Sequence, residues 1–363
     1  MSIRIKRAEL TEYITRIFTV KGMKPEDARI TADVLTAADA RGIPSHGVAR
    51  LQRYLAGIDE GIMKLNAEPQ VLKEGRNNLV IDAHGVMGPP VCKVVMEQLI
   101  EKADTSGCAF ASIQNSNHFG IAGYYAALPL KKDMIGIAMT NTAALGVPTF
   151  GKDLMFGTNP IAVAVPAGEE IPFCLDMSTT VVTRGKIEVY NREGKKLPKG
   201  WAVNANGLTA ENPGALLKNM LTQSGGGILP LGGEGEYFGG HKGYGLAVMV
   251  DVFCALLSGG TFGPDVMDTA ETSASVSHFF GVLKVADFRE LSSFKADMDK
   301  MLRQLKNARP AEGHTRVYYA GLKEAEYEKE SEVKGVPLTD IVWERIKTCG
   351  QTLNVSLPDI LPF

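Results

Sequence analysis

Ala109-Phe110-Ala111-Ser112-Ile113 runs without a break into Gln114-Asn115-Ser116-Asn117-His118-Phe119-Gly120. The first five residues are apolar or small and end on a β-branched side chain, which is strand composition. The asparagine- and glycine-bearing continuation makes a turn, and Gly123, Tyr124 and Tyr125 open the segment beyond it. Residues 109–125 therefore predict a strand that passes the chain to a helix through a turn carrying His118. The same texture recurs at 79–81, 135–139 and 161–165 and again around 279–285, separated by helical segments or glycine turns. An α/β or α+β domain beginning near Asn78 is predicted.

On either side of that domain the pattern is helical. Leu10, Ile14, Ile17 and Phe18 repeat at helical spacing up to Gly22; Pro25, Glu26 and Asp27 suit a second first turn whose apolar face is Ile30, Val34 and Ala37, closed by Gly42. A third helix is predicted over about 45–59. Near the other end Met298, Met301, Leu302 and Leu305 make one stripe and Ile341, Val342 and Ile346 another, while the charged run 323–334 reads as a solvated helix face. The predicted division is a helical domain of 1–77 with 290–363 and a central domain of 78–289. A chain of 363 residues agrees with about two domains at roughly 150 residues each.

Residues 225–245 hold ten glycines and predict a loop, a surface excursion or backbone that lies against a ligand. After it Leu246, Met249, Val250, Phe253 and Leu257 predict a buried helix ended by Gly259 and Gly260.

Composition narrows the function classes. With 45% apolar and 22% charged residues the chain is ordinary globular material, and 39 Lys+Arg against 41 Asp+Glu give a net charge of -2, so no global field draws it to nucleic acid or to an anionic membrane. The best candidate span, 246–257, is too short and is interrupted by Asp251. Met1-Ser2-Ile3-Arg4-Ile5-Lys6 has no apolar targeting core, and Cys92, Cys108, Cys174, Cys254 and Cys349 form no C-x-x-C pair, which together predict a cytoplasmic protein. The G-x-G pairs at 225/227, 233/235 and 243/245 are followed three residues later by Pro230, Phe238 and Val248, so the Rossmann fingerprint is absent. P-loop and G-x-S-x-G motifs are absent too, and isolated histidines without H-E-x-x-H predict no metal.

In the third predicted helix Val48, Leu51, Leu55 and Ile58 define the buried stripe, and His46, Arg50 and Tyr54 recur every four residues along another line. Such a row is either a solvated face or an anion site: arginine offers a planar fork matched to a carboxylate, tyrosine a hydroxyl, and histidine a proton donor with a reference pKa of about 6.5. His118 either caps its turn or presents an imidazole from a strand end. Thr140-Asn141-Thr142, Gly157-Thr158-Asn159-Pro160 and Asp176-Met177-Ser178-Thr179-Thr180 supply hydroxyls and amides to a ligand, although Ser178 to Thr180 also suit an N-cap. Lys242, between Gly240, His241, Gly243 and Tyr244, suits a phosphate or simply water.

Ala38-Asp-Ala-Arg-Gly-Ile-Pro-Ser-His-Gly47, Ser116-Asn-His-Phe-Gly120, Gly157-Thr-Asn-Pro160, Leu175-Asp-Met177 and Lys242-Gly-Tyr-Gly245, in this order, resemble the type-2 malate/L-lactate dehydrogenase family, which includes sulfolactate and ureidoglycolate dehydrogenases, diketogulonate reductase and piperideine-carboxylate reductase. The resemblance spans nearly the whole chain. It implies a non-Rossmann malate/L-sulfolactate dehydrogenase-like fold, with a helical domain from both chain ends and a central mixed-sheet cofactor domain. It further implies an NAD- or NADP-dependent oxidoreductase of small 2-hydroxy or 2-oxo acids, with NAD slightly favoured, assembled as a homodimer. By the same analogy Arg50 and Tyr54 hold the substrate carboxylate, and His118 or His46 is the acid/base, His118 being favoured. Thr142, Asp176, Met177, Ser178 and Lys242 contact the dinucleotide. The chain has Asp-Met-Ser-Thr-Thr where many relatives carry Asp-Met-Ala-Thr. Arg184, Lys186 and Arg192 are either partners for a 2′-phosphate or a solvated helix face. The competing readings are reduction of a cyclic imine carboxylate or diketo sugar acid, and a dinucleotide- or anion-binding protein without turnover.

Overall fold

A computed structural model describes residues 2–266 and 275–361, so that 267–274 of the predicted central domain lie outside the described residues. The chain opens with β1 (Ser2–Ile5), α1 (Arg7–Val20) and α2 (Pro25–Ala40), the last carrying Pro25, Glu26 and Asp27 in its first turn. The third helix differs from the predicted 45–59. Two 3-10 turns, Pro44–His46 and Val48–Arg50, precede a short α3 (Leu51–Asp59). The cause is Asp39 at the end of α2: its buried carboxylate accepts a 2.7 Å hydrogen bond from the Val48 amide and fills the space beside Gly47, where a Cβ would overlap it. The backbone is extended at Gly47, which breaks the helical register between His46 and Arg50.

The central elements are β2 (Gln70–Glu74), β3 (Asn78–Asp82), α4 (Gly88–Ser106), β4 (Cys108–Ser116), α5 (Ala122–Ala126), β5 (Met134–Thr140), β6 (Ile161–Val165), β7 (Phe173–Met177), α6 (Arg184–Arg192), β8 (Ala202–Val203), α7 (Pro213–Thr222), β9 (Gly227–Ile228), α8 (Gly240–Asp251) and β10 (Val276–Lys284). Seven of the strands form one mixed sheet in the order β2-β3-β4-β10-β5-β6-β7. The β3–β4 pair, joined through the crossover helix α4, is parallel, and the other described pairs are antiparallel. A sheet of this kind is not the doubly wound parallel type, in agreement with the missing glycine fingerprint.

The expected 225–245 loop is only partly a loop, because α8 begins at Gly240. Glycine usually weakens a helix, but here Gly240 and Gly243 pack directly onto backbone: a Cβ at Gly240 would overlap the Gly233 carbonyl, and one at Gly243 the Leu231 carbonyl. The glycines are therefore a packing face rather than a mobile excursion. A π turn, Val252–Leu256, continues α8.

Beyond β10 come α9 (Leu291–Lys306), α10 (Leu322–Lys334), β11 (Val336–Thr339) and α11 (Asp340–Thr352). β1 pairs antiparallel with β11, and Leu10, Ile14, Phe18, Leu51, Trp343 and Ile346 share one buried cluster. α9 packs elsewhere, its Met298 and Leu302 lying against Ala167 beyond the end of β6. One face of the sheet is covered by α4 and α5 together with Val34 and Ala37 of α2. The other face meets Val250 and Cys254 of the α8 region. Residues between Ala144 and Leu229, with α6 and α7, enclose a third, smaller core. The ends of β4 and β5 and the starts of β6 and β10 all lie at one margin of the sheet, where the helical core and this smaller core face one another.

Candidate active site

At that margin lies a cleft of about 230 Å³ lined by Ser45, His46, Arg50 and Arg53 from one side, His118, Thr140, Asn141 and Thr142 from the strand ends, and Thr158, Thr183 and Arg184 from the smaller core. Of the residues singled out in the sequence it unites His46, Arg50, His118, Thr140, Asn141, Thr142, Thr158, Pro160 and Arg184. The two imidazoles stack, with ring centroids 5.5 Å apart and planes 17° apart.

Tyr54 sits behind this wall, fully buried on α3, and its hydroxyl oxygen lies 2.7 Å from Nδ1 of His118 and 3.4 Å from the His118 carbonyl. His118 is thus held by a phenol at Nδ1, and its Nε2 makes no hydrogen bond among the described residues. The Gly120 amide approaches the same Nδ1 at a longer 3.3 Å. Burial, followed by the charges of His46, Arg50 and Arg53, holds the His118 pKa well below the ordinary histidine value. Half-buried His46, desolvated and beside Arg50, is lowered to about 4, and Ser45 Oγ lies 2.9 Å from its Nδ1. Both imidazoles are neutral at pH 7. Burial raises the Tyr54 pKa, so the phenol keeps its proton.

Arg50 is aimed by its own turn, its Nε donating to the Ser45 carbonyl at 2.7 Å. Burial depresses its pKa and Arg53 and Arg184 depress it further, whereas Tyr54 and Glu188 act the other way.

The strand-end segments are held by two buried networks that sequence reasoning did not find. Asp251 of α8 receives the amide nitrogens of Asn141 and Asn159, both at 3.1 Å, fixing the loops that present Thr142 and Thr158. His278 of β10 lies between Thr140 Oγ1 at 2.8 Å and Ser116 Oγ at 2.9 Å, and stacks at 4.6 Å on Phe119, the neighbour of His118. Its pKa is lowered to about 3 by burial. A histidine inside the apolar run Val276-Ser-His-Phe-Phe280 was the available signal for the second network. Arg53 was missed as well, although it lies three residues beyond Arg50.

Asp176, Met177, Ser178 and Lys242 do not line this cleft. Asp176 turns to the opposite face of the sheet, where its carboxylate accepts from the Gly123 amide of α5 at 2.7 Å and burial raises its pKa to about 6. Met177 pairs with Ile161, and Ser178 Oγ donates to the Thr180 carbonyl. Lys242 is exposed in the first turn of α8. The row His46–Arg50–Tyr54 is therefore split: two members face the cleft and the third supports His118 from behind.

A nicotinamide ring with a small acid fits the lining. Phe119, Leu145 and Val276 offer apolar surface for a planar ring beside the hydroxyls of Thr140, Thr142 and Thr158. No metal-binding cluster occurs among the described residues, and no described helix is long and apolar enough to cross a membrane.

Residues 5–347 match the Malate/L-lactate dehydrogenase family. The chain is 40% identical over 355 residues to a malate dehydrogenase of Pyrococcus abyssi, covering 98% of this chain and 96% of that one. It is 35% identical to a malate/(S)-sulfolactate dehydrogenase of Methanothermus fervidus, covering 97% and 99%. The crystal structure of malate dehydrogenase from Entamoeba histolytica superposes with a TM-score of 0.94 at 33% identity, covering 99% of this chain and all of the other.

Proposed function

The chain belongs to the malate/L-lactate dehydrogenase family and is a nicotinamide-dependent 2-hydroxy acid oxidoreductase; we propose that His118 is its acid/base, with Arg50 binding the substrate carboxylate and Tyr54 orienting His118. The observation that carries this is the 2.7 Å contact of Tyr54 with His118 at the wall shared with Arg50. A base whose far nitrogen is fixed by a third group is the arrangement that proton transfer requires.

When bound, the nicotinamide supplies the hydride acceptor or donor. Arg50 pairs with the carboxylate through its planar fork and so fixes the acid's C2. The proton step uses the tautomer in which Nδ1–H donates to the Tyr54 oxygen at 2.7 Å in place of the longer bond from the Gly120 amide, the phenol donating to the His118 carbonyl, and Nε2 keeps its lone pair. In oxidation Nε2 takes the hydroxyl proton as the carbonyl forms; in reduction the same nitrogen, protonated, returns it. His46, stacked on His118, keeps water from that face, and its own partner Ser45 makes it the second choice for the proton step.

For the rest of the dinucleotide, Thr142 and Thr158 lead from the cleft, and Met177, Ser178 and Lys242 are proposed contacts farther along. Asp176 is proposed to act through α5, since its carboxylate is committed to Gly123. NAD is favoured over NADP because Arg184, one of the candidates for a 2′-phosphate, is paired with Glu188 at 3.0 Å. Homodimer formation is supported by the exposed apolar strip Val248, Val252, Leu256 and Leu257. The five free cysteines, two of them buried, suit the reducing cytoplasm. A spectrophotometric panel of pyruvate, oxaloacetate and piperideine-2-carboxylate against NADH and NADPH tests the proposal. Oxidation of NADH by a 2-oxo acid is expected; turnover only with the cyclic imine, or binding of NADH without turnover, refutes it.

A further inference from the structure

β10 lies between β4 and β5 and runs antiparallel to both, so its first residues meet the two strand ends that reach the cleft. Its register with β4 slips at this point. Val276 pairs with Ser116 and His278 with Ile113, which leaves Gln114 and Asn115 opposite the single Ser277, a β-bulge in β4. Asn115 takes a φ of 53°, in the left-handed region that asparagine tolerates better than most side chains. The bulge re-aims the chain three residues before His118, at a place where ladder hydrogen bonds are lost and the strand end needs other anchors.

Side chains supply them. Asp82 of β3 accepts from Gln114 Nε2 and Asn115 Nδ2, both at 3.1 Å. From the other neighbouring strand, His278 reaches Ser116 Oγ at 2.9 Å and Thr140 Oγ1 at 2.8 Å, and its ring stacks on Phe119. Phe119 also stacks on Tyr125, whose hydroxyl donates to the Phe119 carbonyl. With the Thr140 hydroxyl donating to the Asn141 carbonyl at 2.9 Å, it accepts from Nδ1–H of His278, and Nε2 accepts from Ser116. Fully buried His278 therefore has both ring nitrogens committed and is no proton donor to the cleft. It touches the residues on either side of Asn117-His118 and the facing strand end at once.

We infer that His278 is a positioning residue for the proton step, holding His118 in place by tying Ser116 and Phe119 to Thr140 across the end of the sheet. This rests on the reading of His118 as the acid/base and adds the residue that sets where its imidazole stands. The reason for such a tie is steep: a misplacement of about 1 Å at a reacting group can cost on the order of 100-fold in rate.

The test measures kcat and KM for oxaloacetate and pyruvate with NADH, and NADH affinity by fluorescence, in the wild type, His278→Phe, Ser116→Ala, His118→Ala and the double variant of His278→Phe with His118→Ala. His278→Phe keeps a ring against Phe119 and gives up both hydroxyl contacts. It is expected to lower kcat by about 10- to 100-fold, with the KM of the acid and the affinity for NADH within about 2-fold of wild type. Ser116→Ala removes one hydroxyl and leaves the histidine, and should lower kcat by about 3- to 10-fold even where His278→Phe does not fold. Where His118 is already alanine, His278→Phe is expected to add less than about 2-fold, because no imidazole is left to place. An unchanged kcat in His278→Phe, or in Ser116→Ala where the former does not fold, overturns the inference. So does a loss repeated in full in the His118→Ala background, which would make His278 a packing residue that acts without His118, and so does weaker NADH binding at unchanged kcat. A wild type that reduces neither acid, or a His118→Ala variant as active as wild type, overturns the underlying acid/base reading instead.

Discussion

Tyr54 Oη stands 2.7 Å from Nδ1 of His118, although the two residues are 64 positions apart and Tyr54 belongs to the helical core while Phe119, next to His118, belongs to that of the sheet. The phenol selects which ring nitrogen of His118 faces the cleft. Tyr54→Phe keeps the ring packing and removes only that selection. The expected result is a kcat lower by about 10- to 100-fold with little change in KM for the acid, measured by steady-state kinetics. A rise in KM with kcat intact would assign the hydroxyl to the carboxylate instead.

His118→Ala is expected to lower turnover by about 10²- to 10⁴-fold, and by more than His46→Ala does. NADH binding, followed by fluorescence titration, should survive both. Equal activity of His118→Ala and wild type would remove His118 from the proton step.

The pH profile carries a separate expectation. A base must be unprotonated to accept the hydroxyl proton, and burial with neighbouring positive charge keeps His118 neutral well below pH 6.5. The acid limb of kcat/KM for oxidation is therefore expected below pH 6.5. A limb at or above that value would mean that another group, or a solvated histidine, is being titrated.

Arg50→Lys keeps a charge and loses the fork. Loss of such a pairing typically costs about 2 to 5 kcal/mol, so the KM for the acid should rise by more than 10-fold, with NADH binding retained. An unchanged KM across 2-oxo acids would place the carboxylate elsewhere.

Asp39 gives a stability test. Burial raises its pKa from an ordinary carboxyl value of 3.8 to about 7, so between those values the folded protein binds more protons than the unfolded chain. Its contribution is then fully present below about pH 4, falls by about 1.4 kcal/mol for each pH unit above that, and levels off above about pH 7. Asp39→Asn retains an acceptor for the Val48 amide and cannot ionise. Denaturant titrations at pH 5 and pH 8 should show the variant gaining on the wild type at the higher pH; a pH-independent difference would mean that Asp39 does not titrate in the fold.

Much of this was legible in the sequence. Alternating burial writes itself into β-branched runs, so the sheet strands and the helical flanks could be read, and the turn after β4 announced His118. Two features were not legible. The break at Gly47 comes from a carboxylate eight positions earlier, and α8 contains glycines because another backbone presses against it; both are tertiary contacts with no local signature. The burial of Tyr54 and its contact with His118 were not legible either, since helical spacing says which residues share a side but not how deep each one sits. Asp176 likewise lies on a strand whose alternation turns it away from the cleft.

Arg50 and Arg184 line one cleft from two separately packed bodies. An anion that enters between them acts as mortar across that seam. Inert diacids that cannot be reduced should accordingly raise the melting temperature as well as compete with substrate, and simple salt should imitate them weakly. Reactant and structural counterion would then be one and the same molecule, and the enzyme sturdiest while it is at work.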